Sequence, residues 1–215
     1  MSDDLPATEK KRLNVLWQYQ VLDTVPEALF DDLTELAARI CEAPIAMISL
    51  VDENRQWFKS RVGIATNQTS RDVSFCAYAI KQPDVFVVPD ASKDPRFANN
   101  PMVVWDPKIR FYAGAPLITP DGHALGTLCI IDKIARELRP DQKRALIILA
   151  RHVVSQLELR RRSRELADVR AQRDGLQRKL DRLQARPKKA SGPRAVNSKP
   201  RRAKRVWTKA RKGRR

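Results

Sequence analysis

Glycine, cysteine and histidine are scarce in this chain, with seven, three and two copies in 215 residues. So few glycines leave little from which to build a Gly-lined nucleotide cradle. No Gly-rich phosphate loop, nucleophile elbow or zinc spacing is present. Two histidines do not make a metal or haem site: His123 is expected in a solvent-facing turn and His152 on the last helix, packed or at a dimer seam, so no metal is expected. Cys41, Cys76 and Cys129 are odd in number and far apart, which is no disulfide framework and fits a reducing compartment. No run of about 18 apolar residues occurs, so no membrane helix is expected. The opening Met1-Ser2-Asp3-Asp4 has neither the basic nor the apolar part of a secretory leader, so the expected location is the cytoplasm.

What the chain has in excess is positive charge, and the charge is unevenly placed. The formal net charge is +17. Between Arg160 and Arg215 stand 23 Lys+Arg against 4 Asp+Glu, while the remainder holds 19 against 21. A near-neutral body therefore carries a polycationic end. Such a block attracts polyanions: nucleic acid, acidic headgroups or an acidic protein face.

Along the body, apolar spacing of three and four predicts a helix over 7–20, with Thr8 as its cap. A second is predicted over 26–42, with Pro26 in its first turn and Phe30, Leu33, Leu36, Ala37 and Ile40 on one face. The β-branched run 44–51, the turn Asp52-Glu53-Asn54 and the alternating segment 56–62 predict a hairpin. Residues 74–80 read as a short helix and 85–88 as a short buried strand. Residues 91–108 read as an irregular loop, long enough to act as a lid. A second hairpin follows over 111–131 around Pro120-Asp121-Gly122, where Pro presets φ and Gly supplies a positive one. Hairpin links favour an antiparallel sheet with helices packed on it.

From Asp141 the pattern is helical and does not stop. Leu146, Leu149, Val153 and Leu157 belong to the body. Leu159, Arg162, Leu166, Val169, Arg173, Leu176, Leu180 and Leu183 then alternate at three and four, which predicts a seam for a parallel dimeric coiled coil. Pro187 ends it. Beyond lie 13 basic and no acidic residues, a composition expected to stay disordered alone. The expected division is an N-terminal helix over 1–22, a domain over 23–160, a helical extension over 161–186 and a basic tail over 187–215.

Several stretches then carry a family resemblance. They include Tyr19-Gln20-Val21-Leu22-Asp23-Thr24, Arg55-Gln56-Trp57-Phe58-Lys59-Ser60, Ser74-Phe75-Cys76 and Asp94-Pro95-Arg96-Phe97-Ala98. Arg110-Phe111-Tyr112-Ala113-Gly114-Ala115-Pro116-Leu117 and Gly126-Thr127-Leu128-Cys129 complete the series. Over roughly residues 8–160 the chain resembles a bacterial GAF domain of the type found in front of histidine kinases and diguanylate cyclases. The resemblance implies an α/β, GAF-like (PAS-like) fold: a six-stranded antiparallel sheet, flanking helices, a pocket on one face, and signalling through terminal helices that often dimerise. Histidine-kinase, cyclase, cyclic-nucleotide-binding and chromophore-attachment signatures are absent, and the cysteines do not align with those of free-methionine sulfoxide reductases. The expectation is a non-catalytic regulatory module, not an enzyme. A homodimer, a separate sensor kinase or cyclase, and nucleic acid are its expected partners. No motif names a cofactor.

The candidate ligand-binding residues are Phe58, Arg71, Cys76, Asp90, Asp94, Arg96, Phe97, Asn100, Arg110, Tyr112 and Cys129. Cys76 opens a predicted helix near Arg71, a setting that lowers a thiol pKa and leaves a redox or reductase role open, against the alternative of a small buried hydrophobe. Arg96 could meet an anionic ligand or pin its own loop through Asp94 or Asp90. The candidate nucleic-acid residues are Lys199, Arg201, Arg202, Lys204, Arg205, Lys209, Arg211, Lys212, Arg214 and Arg215, with Trp207 placed to stack on a base. If about eight of these charges meet phosphates, affinity falls with salt at a log–log slope on the order of −7. Removal of residues 187–215 should abolish a salt-sensitive DNA or RNA gel shift; a shift that survives the deletion counts against the tail.

Overall fold

The computed structural model describes residues 5–184. In chain order the elements are α1 (Ala7–Gln18), α2 (Ala28–Cys41), β1 (Ile45–Val51), β2 (Arg55–Val62), β3 (Gln68–Ser70), a 3-10 turn (Arg71–Val73), α3 (Cys76–Ala79), β4 (Phe86–Val88), α4 (Pro101–Val104), β5 (Phe111–Ile118), β6 (Ala124–Asp132) and α5 (Pro140–Gln184). The chain divides into a first unit ending at Arg170 and a second beginning at Ala171. No helix among the described residues is long and apolar enough to cross a membrane.

The six strands form one sheet in the order β3-β2-β1-β6-β5-β4. Every neighbouring pair is antiparallel, the sense that the short β1–β2 and β5–β6 hairpins require of their own strands. All seven residues of β1 are buried, because both faces of the sheet are covered. On one face Leu16, Phe30, Ala37 and Cys41 pack with Leu146, Leu149, Val153 and Leu157 of α5 against Ile48, Leu50, Leu128 and Ile130. On the other, Met47, Phe58, Tyr112, Cys129 and Ile131 meet Phe75, Cys76, Phe97 and Val103 from the connecting segments. Strand alternation sends neighbouring residues to opposite cores: Trp57 lies in the first and Phe58 in the second. A register shift between Ile48 and Ser49 interrupts the β1–β2 ladder.

Several local expectations are corrected. Thr8 is not the cap of α1. The Pro6 carbonyl takes the first helical bonds, from the Glu9 and Lys10 amides, which puts Thr8 inside the first turn. Pro26 precedes α2, whose N-cap is Glu27 in an extended conformation. The buried face of α2 is centred on Phe30, Thr34, Ala37, Ala38 and Cys41, and Leu36 is exposed. The edge strand β3 lacks apolar alternation and escaped the sequence reading. The segment 91–108 is not wholly irregular: Asn100 caps α4 by accepting from the Met102 amide, with Pro101 at the first helical position. His152 is exposed, so of the two expected settings it is not packed within the chain.

Two glycines separate conformational strain from steric clash. Gly126, on β6, lies where an added Cβ would sit 1.9 Å from the Ser49 carbonyl oxygen, a backbone atom that cannot yield. Gly122 has φ +81° in the β5–β6 turn and open space around it. Gly126→Ala should lower unfolding stability by roughly 3 kcal/mol in urea titration. Gly122→Ala should cost only about 1 kcal/mol. Equal losses would refute the close approach of β1 and β6.

Candidate functional site

The second core is the face where the resemblance implies a pocket, and the protein's own rings occupy it. Phe75 stacks on Phe97 with centroids 4.1 Å apart and on Tyr112 at 5.2 Å. Tyr78 meets Phe97 edge-on at 4.9 Å, and Phe86 lies 6.2 Å from Phe97 and 6.1 Å from Tyr112. Ring pairs of this kind add to their area burial. Five candidates converge here: Phe58, Cys76, Phe97, Tyr112 and Cys129 are all buried.

Beneath the rings lies a small polar cluster. The Cys76 and Cys129 sulfurs are 3.8 Å apart. The Tyr112 hydroxyl donates to Cys76 Sγ at 3.4 Å, and the Cys129 thiol donates to the Met47 carbonyl at 3.7 Å. Burial opposes charge on both thiols. At Cys76 the neighbouring Cys129 and the Tyr112 hydroxyl outweigh it and hold the thiol below its ordinary value. At Cys129 burial and the neighbouring sulfur push the thiol well up. Thr127 lies beside all three groups, and its buried hydroxyl has no hydrogen-bond partner among the described residues. Arg71 plays no part, contrary to expectation. Its guanidinium bonds to Glu9 at 2.8 Å and to the Asp52 carbonyl at 2.9 Å, which ties α1 to the β1–β2 turn.

The other candidates hold the loop over this face. Asp94 takes Arg96 Nε at 2.9 Å and the Arg96 amide at 3.0 Å, and the Arg96 side chain keeps the Asp94 carboxyl below its usual range. Arg96 also lies over Phe86, 4.8 Å from the ring centroid. Asp90 accepts from the Ser92 amide and hydroxyl. Asn100 Nδ2 donates to the Val73 carbonyl. Arg110 donates to the carbonyls of Val103 and Ile109. Cavities open elsewhere. One of about 480 Å³ is lined by Glu9, Arg12, Lys81, His123 and neighbours; another of about 350 Å³ by Asp23, Thr24, Trp57, Lys59 and Arg61. The eleven tail candidates from Lys199 to Arg215 lie outside the described residues.

A second cluster, which sequence reasoning missed, joins the sheet to α5. Lys59 on β2 has a fully buried side chain, and its Nζ donates to Thr24 Oγ1 at 3.0 Å, the Val25 carbonyl at 2.8 Å and Glu27 at 2.6 Å. Glu27 also accepts from Arg160 Nε at 3.0 Å. Arg160 and Arg164 donate to the Gln20 carbonyl, and the Tyr19 hydroxyl donates to Glu158. The junction of α1 and α2 is thus clamped to α5 between Glu158 and Arg164. Burial alone would raise the Glu27 carboxyl, but Lys59 and then Arg160 outweigh it and hold it below its ordinary value. A carboxylate held down in this way stabilises the fold above its unfolded pKa, and the contribution disappears as pH falls through the folded one. Glu27→Gln should therefore cost about 1.5 kcal/mol at pH 7, discounted for the partial exposure of Glu27. In chemical denaturation across pH, the gap from the wild type should close below pH ~4. A gap that does not change with pH would exclude this charge from the clamp.

Comparison with known proteins agrees with this architecture. The family model described as GAF domain matches residues 25–157, more than half of the chain. A cyclic di-GMP phosphodiesterase of Pseudomonas aeruginosa is 45% identical over 131 residues, 61% of this chain and 22% of that protein. The chain therefore spans about a fifth of the length of the curated relative it matches. The GAF domain of a phosphoenolpyruvate-protein phosphotransferase from Coxiella burnetii superposes with a TM-score of 0.52 at 16% identity, over 74% of this chain and 98% of that one. Free methionine-R-sulfoxide reductase from Neisseria meningitidis gives 0.52 at 15% identity, over 76% and 98%. At such identities the two structures speak for the fold alone. The relative from Pseudomonas corrects the expectation that this is not an enzyme: a protein that shares the matched stretch at 45% identity is named as one. The missing motifs on which that expectation rested do not exclude catalysis. Fold, strand order and matched stretch together show that the chain is a sensory protein of the GAF domain family.

Proposed function

We propose that this chain is a sensory module of cyclic di-GMP signalling, tied to hydrolysis of that nucleotide. The 45% identity to a cyclic di-GMP phosphodiesterase over 131 residues carries this reading. The input is a small ligand or a partner protein acting on the aromatic face of Phe58, Cys76, Phe97, Tyr112 and Cys129. Asp90, Asp94, Arg96, Asn100 and Arg110 hold the loop that opens or closes over it. The clamp at Glu27, Arg160 and Glu158 passes the change to α5.

The output is a change in how α5 pairs with a second copy. Leu159, Leu166, Val169, Leu176, Leu180 and Leu183 are all exposed along it, an apolar stripe that supports pairing. A separate kinase or cyclase helix could take the same seam, and that is the second reading. The functional division follows 1–22, 23–160, 161–186 and 187–215, with the basic tail engaging nucleic acid or an acidic partner. Three unpaired cysteines fit work in the cytoplasm.

The test removes the protein from its host and measures cellular cyclic di-GMP. Loss should shift the level, and the wild-type chain should restore it. The Leu176→Lys, Leu180→Lys variant should be monomeric in light scattering and fail to restore it. An unshifted level would refute the link to cyclic di-GMP. Full restoration by a monomeric variant would refute signalling through a paired α5.

A further inference from the structure

Oxidation has a built place in this fold that lies apart from the cyclic di-GMP reading. Cys76 comes from α3 and Cys129 from the central strand β6, separated by more than fifty positions in the chain. The fold nevertheless brings their sulfurs to 3.8 Å. That is van der Waals contact, and a bond of about 2.05 Å requires the sulfurs to approach by roughly 1.8 Å more. We propose that Cys76 and Cys129 form an intramolecular disulfide when the protein meets hydrogen peroxide, with Cys76 as the attacking thiol and Cys129 as the resolving one.

The surroundings assign the roles. The Tyr112 hydroxyl donates to Cys76 Sγ at 3.4 Å, which favours the thiolate, the nucleophilic form. The Cys129 thiol donates to the Met47 carbonyl and keeps its proton until it is called on. Thr127, beside both sulfurs, has a buried hydroxyl with no partner among the described residues. A buried unpaired donor is costly, and a charged sulfur beside it would satisfy it. Hydrogen peroxide is little larger than water. The cover above the thiols is a four-residue helix and a loop, and peroxide reaches the sulfurs when that cover opens locally.

The chemistry balances in two steps. The Cys76 thiolate attacks one peroxide oxygen, the O–O bond breaks, and the departing hydroxide takes up the thiol proton as water; Cys76 is now a sulfenic acid. The Cys129 sulfur then attacks the Cys76 sulfur, the S–O bond breaks, and the hydroxyl leaves with the Cys129 proton as a second water. Two thiols lose two electrons, and one peroxide gains them. The product ties α3 to the centre of the sheet, beneath the stacked rings of Phe75 and Tyr112. Cys41 is also buried, but it packs in the opposite core, and burial raises its thiol to about 11. It is the internal control.

The test uses the full chain, reduced, treated with hydrogen peroxide, quenched, then unfolded in guanidinium with N-ethylmaleimide and weighed intact. The reduced protein has three free cysteines and should take a maleimide on each. The oxidised protein should take one, on Cys41, and be lighter by two hydrogens before labelling. Peptide mapping should find Cys76 joined to Cys129, and the Cys41→Ser variant should give the same link with no maleimide at all. Three adducts after peroxide would overturn the proposal. So would a link through Cys41, a link between two chains, or over-oxidation of Cys76 with Cys129 still free.

Discussion

β1 and β6 run side by side through the middle of the sheet, and every residue of β1 is buried. Neither face of such a sheet can be left to water, since each carries a full row of apolar side chains whose burial drives folding. The first face takes the helices at the two ends of the body, α1 and α2 with the start of α5. The second takes what the chain between β3 and β5 can supply. That supply is two helices of four residues each and a loop, so the cover depends on large rings. Phe75 and Phe97 from these segments pack on Phe86 and Tyr112 of the sheet and make up in area what the segments lack in regular structure.

Polar groups trapped between the layers must find partners inside the fold, and they mark where layers join. The Lys59 side chain is buried, and its ammonium group takes Thr24, the Val25 carbonyl and Glu27 as partners. Glu27 in turn reaches Arg160. Ser74 donates to Gln56, which bonds to Thr69, fastening the start of the second cover to β2 and β3. These links run from the sheet to α5 on one side and to α3 on the other.

Much of the architecture is legible in the sequence. Apolar spacing places α1, α2 and α5 within a few residues, alternation finds both hairpins, and Pro120-Asp121-Gly122 names its turn. β3 and α4 are not legible from pattern, because Gln68–Ser70 is a polar edge strand and Pro101–Val104 is a single turn. The candidate residues divide for a physical reason. Phe58, Cys76, Phe97, Tyr112 and Cys129 are apolar or weakly polar in apolar runs, so they reach one core together. Asp94, Arg96 and Arg110 find partners in the loop's own backbone and side chains or next to it, and Asn100 ties the loop to the Val73 carbonyl. Charge alone does not distinguish a residue that meets a ligand from one that shapes its own segment.

The sequence by itself determined the class of fold, the antiparallel pairing, and the split between a neutral body and a basic end. These depend on periodicity and composition, which are local. Only the tertiary structure decided that Arg71 turns to Glu9 instead of Cys76, that Lys59 is buried and answered by Glu27 and Arg160, and that Cys76 lies 3.8 Å from Cys129. Each of those contacts joins residues from different elements. Their distance is set by how a sheet buried on both faces is covered, and no window along the chain contains that information.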